Sequence, residues 1–175
     1  MKKLTQIAKN IKLVILDVDG VLTDGSIILD NKGNEFKSFN VRDGHGIKML
    51  IRAGITVAMI TGRYSKVVER RAHELGIKEV YQKCYDKRIA YRHLIEKYSL
   101  DPEEVAYIGD DIVDLPLLKV SGFSASVADA TAEAKNASMM ITKNKGGKGA
   151  VREICDFILK AKGVWKGILD GYSQT

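Results

Sequence analysis

Short apolar runs alternate along the chain with segments of helical periodicity. The strongest runs lie at residues 11–16, 55–60, 105–108 and 139–141, with weaker ones at 79–81 and 123–127. Helical patterns occupy residues 46–52, 65–75, 87–98, 112–120 and 150–162. Short apolar runs bounded by turn residues are typical of buried parallel strands. Because such strands alternate with helices and crossovers are right-handed, the pattern predicts an α/β fold with a doubly wound, mostly parallel, Rossmann-like sheet.

The segment after the first run breaks this alternation. Residues 26–29 and 35–39 flank Asp30-Asn31-Lys32-Gly33, a stretch rich in turn formers, which predicts a β-hairpin. No linker, repeat or change of composition marks a second domain. We therefore expect residues 1–163 to form a single domain without a cap domain. Residues 164–175, where the periodicity is weak, are expected to form a C-terminal tail.

The composition restricts the class of protein. Of 175 residues, 45% are hydrophobic and 29% charged, as in globular proteins. No apolar run approaches the roughly 20 residues of a membrane span, and no signal peptide is expected. Two cysteines without C-x-x-C spacing favour reduced thiols in the cytoplasm. The net charge of +6 is scattered and not interleaved with aromatic residues, so we expect an anionic small molecule as partner, and neither nucleic acid nor a membrane.

Acidic residues follow two of the apolar runs. Asp17 and Asp19 come directly after the first run, and Asp110, Asp111 and Asp114 follow the run at 105–108. Ligands bind at the carboxyl ends of strands in open α/β sheets, and converging carboxylates repel one another unless a cation or proton lies between them. The sequence therefore predicts a site for a hard cation such as Mg²⁺. Asp111 alone could equally cap the following helix.

Two further strand ends carry groups that suit a phosphoryl ligand. Thr61, Gly62 and Arg63 follow the run at 55–60, and Lys87 opens a helix after the run at 79–81. A hydroxyl, a glycine amide and an ammonium group fit phosphoryl oxygens. Thr61 could also be a plain helix cap and Lys87 a surface lysine, but the order along the chain predicts one shared site.

That order, an aspartate pair, a threonine, a lysine and a second aspartate pair, resembles the four motifs of the haloacid dehalogenase superfamily of phosphohydrolases. The resemblance implies that Asp17 attacks phosphorus and forms an aspartyl-phosphate. Asp19 would protonate the leaving oxygen and then deprotonate the attacking water. An acid at the position of Asp19 implies a phosphatase rather than a dehalogenase.

The same resemblance implies the metal ligands. Mg²⁺ would be bound by Asp17, the backbone carbonyl of Asp19, and Asp110, with Asp111 and Asp114 supporting the metal shell. Thr61 and Lys87 would hold the phosphoryl oxygens.

The spacing leaves no room for a cap domain. Only 35 residues separate Gly25 from Thr61, and 22 separate Lys87 from Asp110. Because phosphoryl transfer benefits from the exclusion of water, we expect the hairpin at 26–39 to act as a lid in trans, over the site of a neighbouring subunit in a closed oligomer.

Capless members with such a hairpin resemble the 3-deoxy-D-manno-octulosonate (KDO) 8-phosphate phosphatases. The strings at 17–25, 40–44, 61–63, 109–116 and 146–153 are similar to that family. The resemblance implies hydrolysis of an anionic sugar acid phosphate, KDO 8-phosphate, in lipopolysaccharide biosynthesis, by a homotetramer.

The resemblance also implies which residues meet the substrate, some of them from a neighbouring subunit. The far carboxylate needs cations, and guanidinium groups pair with it in a bidentate way. The residues expected to contact substrate are Asp19, Asn40, Val41, Arg42, Asp43, Gly44, Lys48, Gly62, Arg63, Arg71 and Lys87. Lys48 and Arg71 could equally be ordinary surface cations. The glycines before the last helix could bind an anion or merely lead into that helix.

Other functions compete with this interpretation. A phosphatase for a nine-carbon sialic or deaminated sialic acid 9-phosphate would share fold and motifs. Phosphatases of that kind, however, carry glutamate at the position where this chain has Arg63. A phospho-acceptor receiver domain would place an adjacent acidic pair after the first strand, whereas Asp17 and Asp19 are spaced. The complete set of motifs argues against a non-catalytic binding module.

Overall fold

The computed structural model describes residues 2–173 and contains one parallel sheet, one hairpin and eight α-helices. The sheet strands are β1 Leu13–Leu16, β4 Thr56–Ile60, β5 Glu79–Tyr81, β6 Val105–Gly109, β7 Phe123–Ser126 and β8 Met140–Ile141. The hairpin strands are β2 Ile28–Leu29 and β3 Glu35–Phe36. The helices are α1 Lys2–Lys9, α2 Val41–Arg52, α3 Lys66–Leu75, α4 Lys87–Tyr98, α5 Leu115–Val120, α6 Ala132–Ala137, α7 Ala150–Ala161 and α8 Trp165–Ser173.

In the strand order β5-β4-β1-β6-β7-β8, β4 and β5 are added on one side of β1, and β6, β7 and β8 on the other. The order of the strands therefore switches direction next to β1. All neighbouring strands are parallel. Every residue of β1 is buried; because side chains alternate along a strand, helices must cover both faces of the sheet there. Ligands of open α/β sheets bind at the carboxyl ends of the strands where the connections from two neighbouring strands run to opposite sides of the sheet. The predicted α/β fold is confirmed, and so is the hairpin.

The structure departs from the sequence predictions mainly at helices. Helix α2 begins at Val41 rather than at 46, because the Asn40 side chain accepts hydrogen bonds from the amides of Arg42 and Asp43 and caps the helix there. The predicted helix at 112–120 is a 3₁₀ turn, Ile112–Asp114, followed by α5. Helices α1 and α6 were not predicted.

The C-terminal segment was expected to be an irregular tail, but its described part forms helix α8. Trp165 and Ile168 are partly buried and pack against the hydrophobic core. Within residues 2–173, no helix is both long and apolar enough to cross a membrane.

Candidate active site

The ends of β1, β4 and β6 bring three predicted residues to one edge of the sheet. Leu16 of β1 lies in register with Met59 of β4 and Ile108 of β6. The residues that follow these strand ends include Asp17, Thr61 and Asp110. With Lys87 they line a pocket of about 240 Å³. The site predicted from the order of motifs is therefore assembled by the strand register.

Lys87 lies at the centre of this site and is buried. Its Nζ donates hydrogen bonds to Asp17 Oδ1 at 2.7 Å, to Asp114 Oδ1 at 2.6 Å and to the Tyr107 hydroxyl at 3.3 Å. A buried ammonium group is stable only when it is paired. Burial lowers the pKa of Lys87, but the two carboxylates outweigh this effect and the net shift is upward. Lys87 is therefore held as a cation beside Asp17, not as a surface lysine.

Asp114 organises the surrounding loop. It is fully buried, and its Oδ1 also accepts a hydrogen bond from the Tyr107 hydroxyl. Its Oδ2 accepts hydrogen bonds from the amides of Asp110 and Asp111, at 2.9 and 3.2 Å. Both oxygens are thus occupied by protein donors. Asp114 supports the site by fixing Lys87 and the loop that carries Asp110.

Asp110 and Asp17 have the properties of cation ligands. Carboxylate oxygens of Asp17, Asp110 and Asp114 all lie within 4.8 Å of one another. Within residues 2–173, the buried Oδ1 of Asp110 has no hydrogen-bond partner. Burial first, and then the neighbouring carboxylates, raise the pKa of Asp110 to about 8. Burial also raises the pKa of Asp17 to about 6, against the opposing effect of Lys87. An unpartnered buried oxygen beside other carboxylates fits a hard divalent cation such as Mg²⁺.

Asp111 is exposed, and its Oδ1 accepts a hydrogen bond from the Ile112 amide at 2.7 Å. It therefore takes the helix-capping role left open by the sequence, at the start of the 3₁₀ turn. Its direct part in a metal shell stays a prediction.

Glycines allow the loops around the site to approach closely. Gly20 has φ +92°, and a Cβ there would lie 2.1 Å from Asp110 Oδ2. A Cβ on Gly146 would lie 1.7 Å from the Gly20 carbonyl oxygen. The Gly146 and Gly147 amides donate to Asp129 Oδ1 and the Val21 carbonyl. The glycines before α7 therefore support the loop after β1, and these two amides are not free for an anion.

Thr61 is buried at the end of β4, and its Oγ1 accepts a long hydrogen bond from the Arg63 amide at 3.3 Å. Gly62 and the partly exposed Arg63 line the same pocket. A hydroxyl, a backbone amide and a guanidinium group thus face the space beside Asp17. This set can hold an anionic oxygen.

Asp19 lies on the hairpin side of the pocket. Its carboxylate accepts a hydrogen bond from Lys37 Nζ, and the Arg63 Nε lies 3.8 Å from its Oδ2. Glu35 in turn accepts a hydrogen bond from Arg63 at 3.3 Å. The base of the hairpin therefore contacts the site of its own chain.

The other residues expected to meet substrate lie outside this pocket. Its lining residues, among those the structure describes, do not include residues 40–44, Lys48 or Arg71. Val41, Arg42 and Lys48 are exposed, and Asn40 caps α2.

Asp43 and Gly44 have structural tasks that the sequence did not reveal. Asp43 is buried and accepts hydrogen bonds from the amides of Gly149 and Arg152, at 3.2 and 2.7 Å. It thereby caps the start of α7 through both carboxylate oxygens, and its contact with substrate stays a prediction. A Cβ on Gly44 would lie 2.4 Å from an Arg71 guanidinium nitrogen, so Gly44 makes room for Arg71.

Sequence reasoning missed two residues of the site. Tyr107 sits inside an apolar strand, where nothing in the pattern separates it from a core residue. Lys37 follows a two-residue strand on a polar hairpin. Only the alternation of side chains between the two faces of β3 could have indicated that Lys37 points toward the site.

Comparison with known proteins agrees with this geometry. The profile of the haloacid dehalogenase-like hydrolases matches residues 74–154. The 3-deoxy-D-manno-octulosonate 8-phosphate phosphatase KdsC of Yersinia pestis is 50% identical over 162 residues, which cover 93% of this chain and 87% of that protein.

Solved structures are similar over nearly the whole chain. The crystal structure of the Yersinia pestis phosphatase has a TM-score of 0.93 and 49% identity, and covers 94% of this chain and 89% of that chain. That of the phosphatase from Moraxella catarrhalis, in complex with a magnesium ion, a phosphate ion and KDO, has a TM-score of 0.96 and 43% identity. It covers 98% of this chain and 99% of that chain.

Proposed function

This chain belongs to the family of 3-deoxy-D-manno-octulosonate 8-phosphate phosphatases, and from that premise we propose that it hydrolyses KDO 8-phosphate to KDO and phosphate. Mg²⁺ is the cofactor. The observation that carries the proposal is the group formed by buried Asp17, buried Lys87 and half-buried Asp110 at the carboxyl ends of the central strands.

Asp17 is the proposed nucleophile. Its oxygen attacks phosphorus, a bond forms between Asp17 and phosphorus, and the bond from phosphorus to the sugar oxygen breaks. Asp19 donates a proton to that leaving oxygen, then removes a proton from the water that releases phosphate and regenerates Asp17. Asp17 and Asp19 follow β1 on the same loop, so both can approach one phosphoryl group.

Charge compensation makes this attack possible, since both nucleophile and substrate are anionic. Mg²⁺ would be held by Asp17, Asp110 and the backbone carbonyl of Asp19, and when bound it supplies positive charge to the phosphoryl oxygens. Lys87 holds Asp17 in place, and the Thr61 hydroxyl and Gly62 amide bind phosphoryl oxygens.

The recognition residues support a homotetramer with a lid in trans. Arg42 and Lys48 lie outside the pocket of their own chain and are available to a neighbour. The outer part of the hairpin exposes apolar side chains that water disfavours, namely Ile27, Ile28, Leu29 and Phe36. Burying them against other subunits would let the hairpin at 26–39 cover an adjacent site. In this arrangement Arg42, Lys48, Arg63 and Arg71 bind the sugar acid.

The remaining assignments follow from this function. Residues 1–163 form the catalytic domain, and the segment from 164 onward is accessory to it. The enzyme acts in the cytoplasm, in lipopolysaccharide biosynthesis.

The test is phosphate release from KDO 8-phosphate, sialic acid 9-phosphate and hexose phosphates, each with Mg²⁺ and with a chelator. We expect turnover that needs Mg²⁺ and a kcat/KM for KDO 8-phosphate at least about a hundredfold above that for hexose phosphates, because cations left unpaired disfavour esters without a carboxylate. Sialic acid 9-phosphate also carries a carboxylate, so a lower kcat/KM for it would show selection for the shorter carbon chain. Equal rates on all esters would remove the substrate assignment. Stoichiometric phosphorylation without turnover would favour a receiver domain.

A further inference from the structure

Lys37 is a buried cation that reaches the proposed acid from the hairpin. It directly follows β3, and its side chain is only 1% exposed. Its Nζ donates a hydrogen bond to Asp19 Oδ1 and lies 3.6 Å from Glu35 Oε1. Lysine is rarely buried to this degree unless a partner fixes it. The pairing with Asp19 is thus a built contact, not a chance approach of surface charges.

The strand geometry explains how Lys37 arrives there. Side chains alternate along a strand, so Glu35 and Lys37 share one side of β3 and extend toward the pocket. Phe36 points to the opposite side and is 54% exposed. The hairpin therefore directs Glu35 and Lys37 toward its own active site, and directs Phe36 and its cross-strand partner Ile28 away from it.

The Asp19 side chain has few other restraints. Among residues 2–173, Lys37 is the only group that donates a hydrogen bond to it, because the Arg63 Nε at 3.8 Å is too distant. Arg63 is instead hydrogen-bonded to Glu35. The hairpin thus controls both Asp19, through Lys37, and Arg63, through Glu35.

We propose that Lys37 is a positioning residue for Asp19, which holds the carboxyl group of its own chain where it can protonate the leaving oxygen. The proposal rests on the proposed function and extends it, since it gives the hairpin a role in cis besides a lid in trans. A general acid works only within hydrogen-bond reach of the atom that it protonates. Loss of its orientation should lower kcat more than it raises KM.

The test compares esters that differ in their need for an acid. The alkoxide that leaves KDO 8-phosphate must be protonated, whereas p-nitrophenolate leaves p-nitrophenyl phosphate unaided. Lys37→Met should lower kcat about 10- to 100-fold with KDO 8-phosphate, within the range that general acid catalysis contributes. The loss with p-nitrophenyl phosphate should be at least about tenfold smaller. KM for KDO 8-phosphate should change by less than about threefold.

Two variants control for the charge beside Asp19 and for the loss of a lysine elsewhere. Lys37→Arg keeps a cation beside Asp19 and should recover most of the kcat. Lys78→Met removes an exposed lysine just before β5, at the sheet edge opposite the site, and should match the wild type with both esters. If Lys37→Met lowers the midpoint of thermal unfolding, Lys37→Gln, which keeps a polar side chain, is measured in its place.

Equal losses with both esters, or no loss with KDO 8-phosphate, would overturn the positioning role. A wild-type enzyme that hydrolyses p-nitrophenyl phosphate but not KDO 8-phosphate would instead overturn the proposed substrate. In that case another alkyl phosphate that the enzyme hydrolyses replaces KDO 8-phosphate, and the same comparison still decides the role of Lys37.

Discussion

The buried charge cluster and the start of α2 differ in how completely one chain forms them. Lys87 and Asp114 are buried, and each has several internal partners. At the start of α2, Arg42 and Lys48 are exposed and lie outside the pocket. The groups proposed for phosphoryl transfer are therefore preorganised within a single chain, whereas the cations proposed to recognise the sugar acid lie on its exposed surface.

The difference reflects what each task requires. Phosphoryl transfer is faster when fixed charges surround the phosphoryl group in a site with little water, because neither side chains nor solvent must then reorient in the transition state. Recognition of a carboxylate can use exposed arginines, provided that a neighbour closes over them.

Asp17→Asn should lower kcat at least about a thousandfold, because it removes the only proposed nucleophile. Phosphate release from KDO 8-phosphate measures the effect. Circular dichroism should show an unchanged fold, since asparagine retains the size of the side chain. Appreciable residual turnover would mean that another group attacks phosphorus.

Asp114→Ala should destabilise the chain by about 3–5 kcal/mol, because Lys87 then loses one of its two buried carboxylates and the amides of Asp110 and Asp111 lose their acceptor. Urea unfolding measures the loss. Asp111→Ala, at an exposed position in the same loop, should cost about 1 kcal/mol as a lost cap. Equal costs for the two variants would contradict the scaffolding role of Asp114.

Neighbouring residues of α2 should separate stability from recognition. Asp43→Ala should cost about 2 kcal/mol, because two amides at the start of α7 lose a buried acceptor. Arg42→Ala should change stability by less than about 0.5 kcal/mol, and should raise KM for KDO 8-phosphate with little change for p-nitrophenyl phosphate. Urea unfolding and kinetics on both esters would check the pair; the reverse pattern would show that Asp43 binds substrate.

Asp110→Asn should stabilise the protein in the presence of a chelator. The pKa of Asp110 is raised from 3.8 to about 8, so the folded state favours the protonated form. A carboxyl group whose pKa is higher in the folded than in the unfolded state lowers the free energy of unfolding as the pH rises from about 4 to 8. The variant should therefore exceed the wild type by at least about 1 kcal/mol at pH 8, and by little at pH 4.

Mg²⁺ should reverse this order, since it raises the unfolding midpoint only where both carboxylates can bind it. A variant no more stable than the wild type in chelator at pH 8 would contradict the raised pKa that burial and the neighbouring carboxylates give Asp110.

The sequence predicted site residues best where a polar residue follows the end of a strand. Polar residues that follow apolar runs must lie at one sheet edge, so Asp17, Thr61, Lys87 and Asp110 could be located from order alone. It was least informative for Asp43 and Lys37. Their partners are distant along the chain, and a local pattern cannot distinguish a helix cap in another element from a ligand contact. Helix α8 was missed because Gly167 and Gly171 lower its helix propensity, which obscured the helical spacing of Trp165, Ile168 and Tyr172.

The division between chemistry in one chain and recognition by a second is tested most directly by mixing subunits. Asp17→Asn lacks the nucleophile but keeps Arg42 and Lys48; Arg42→Ala/Lys48→Ala has the reverse defect. After subunit exchange, the mixture should hydrolyse KDO 8-phosphate, at concentrations below KM, several-fold faster than the two variants measured separately. A rate equal to the sum of the separate rates, or a wild-type enzyme that is an active monomer, would contradict the division and place recognition within one chain.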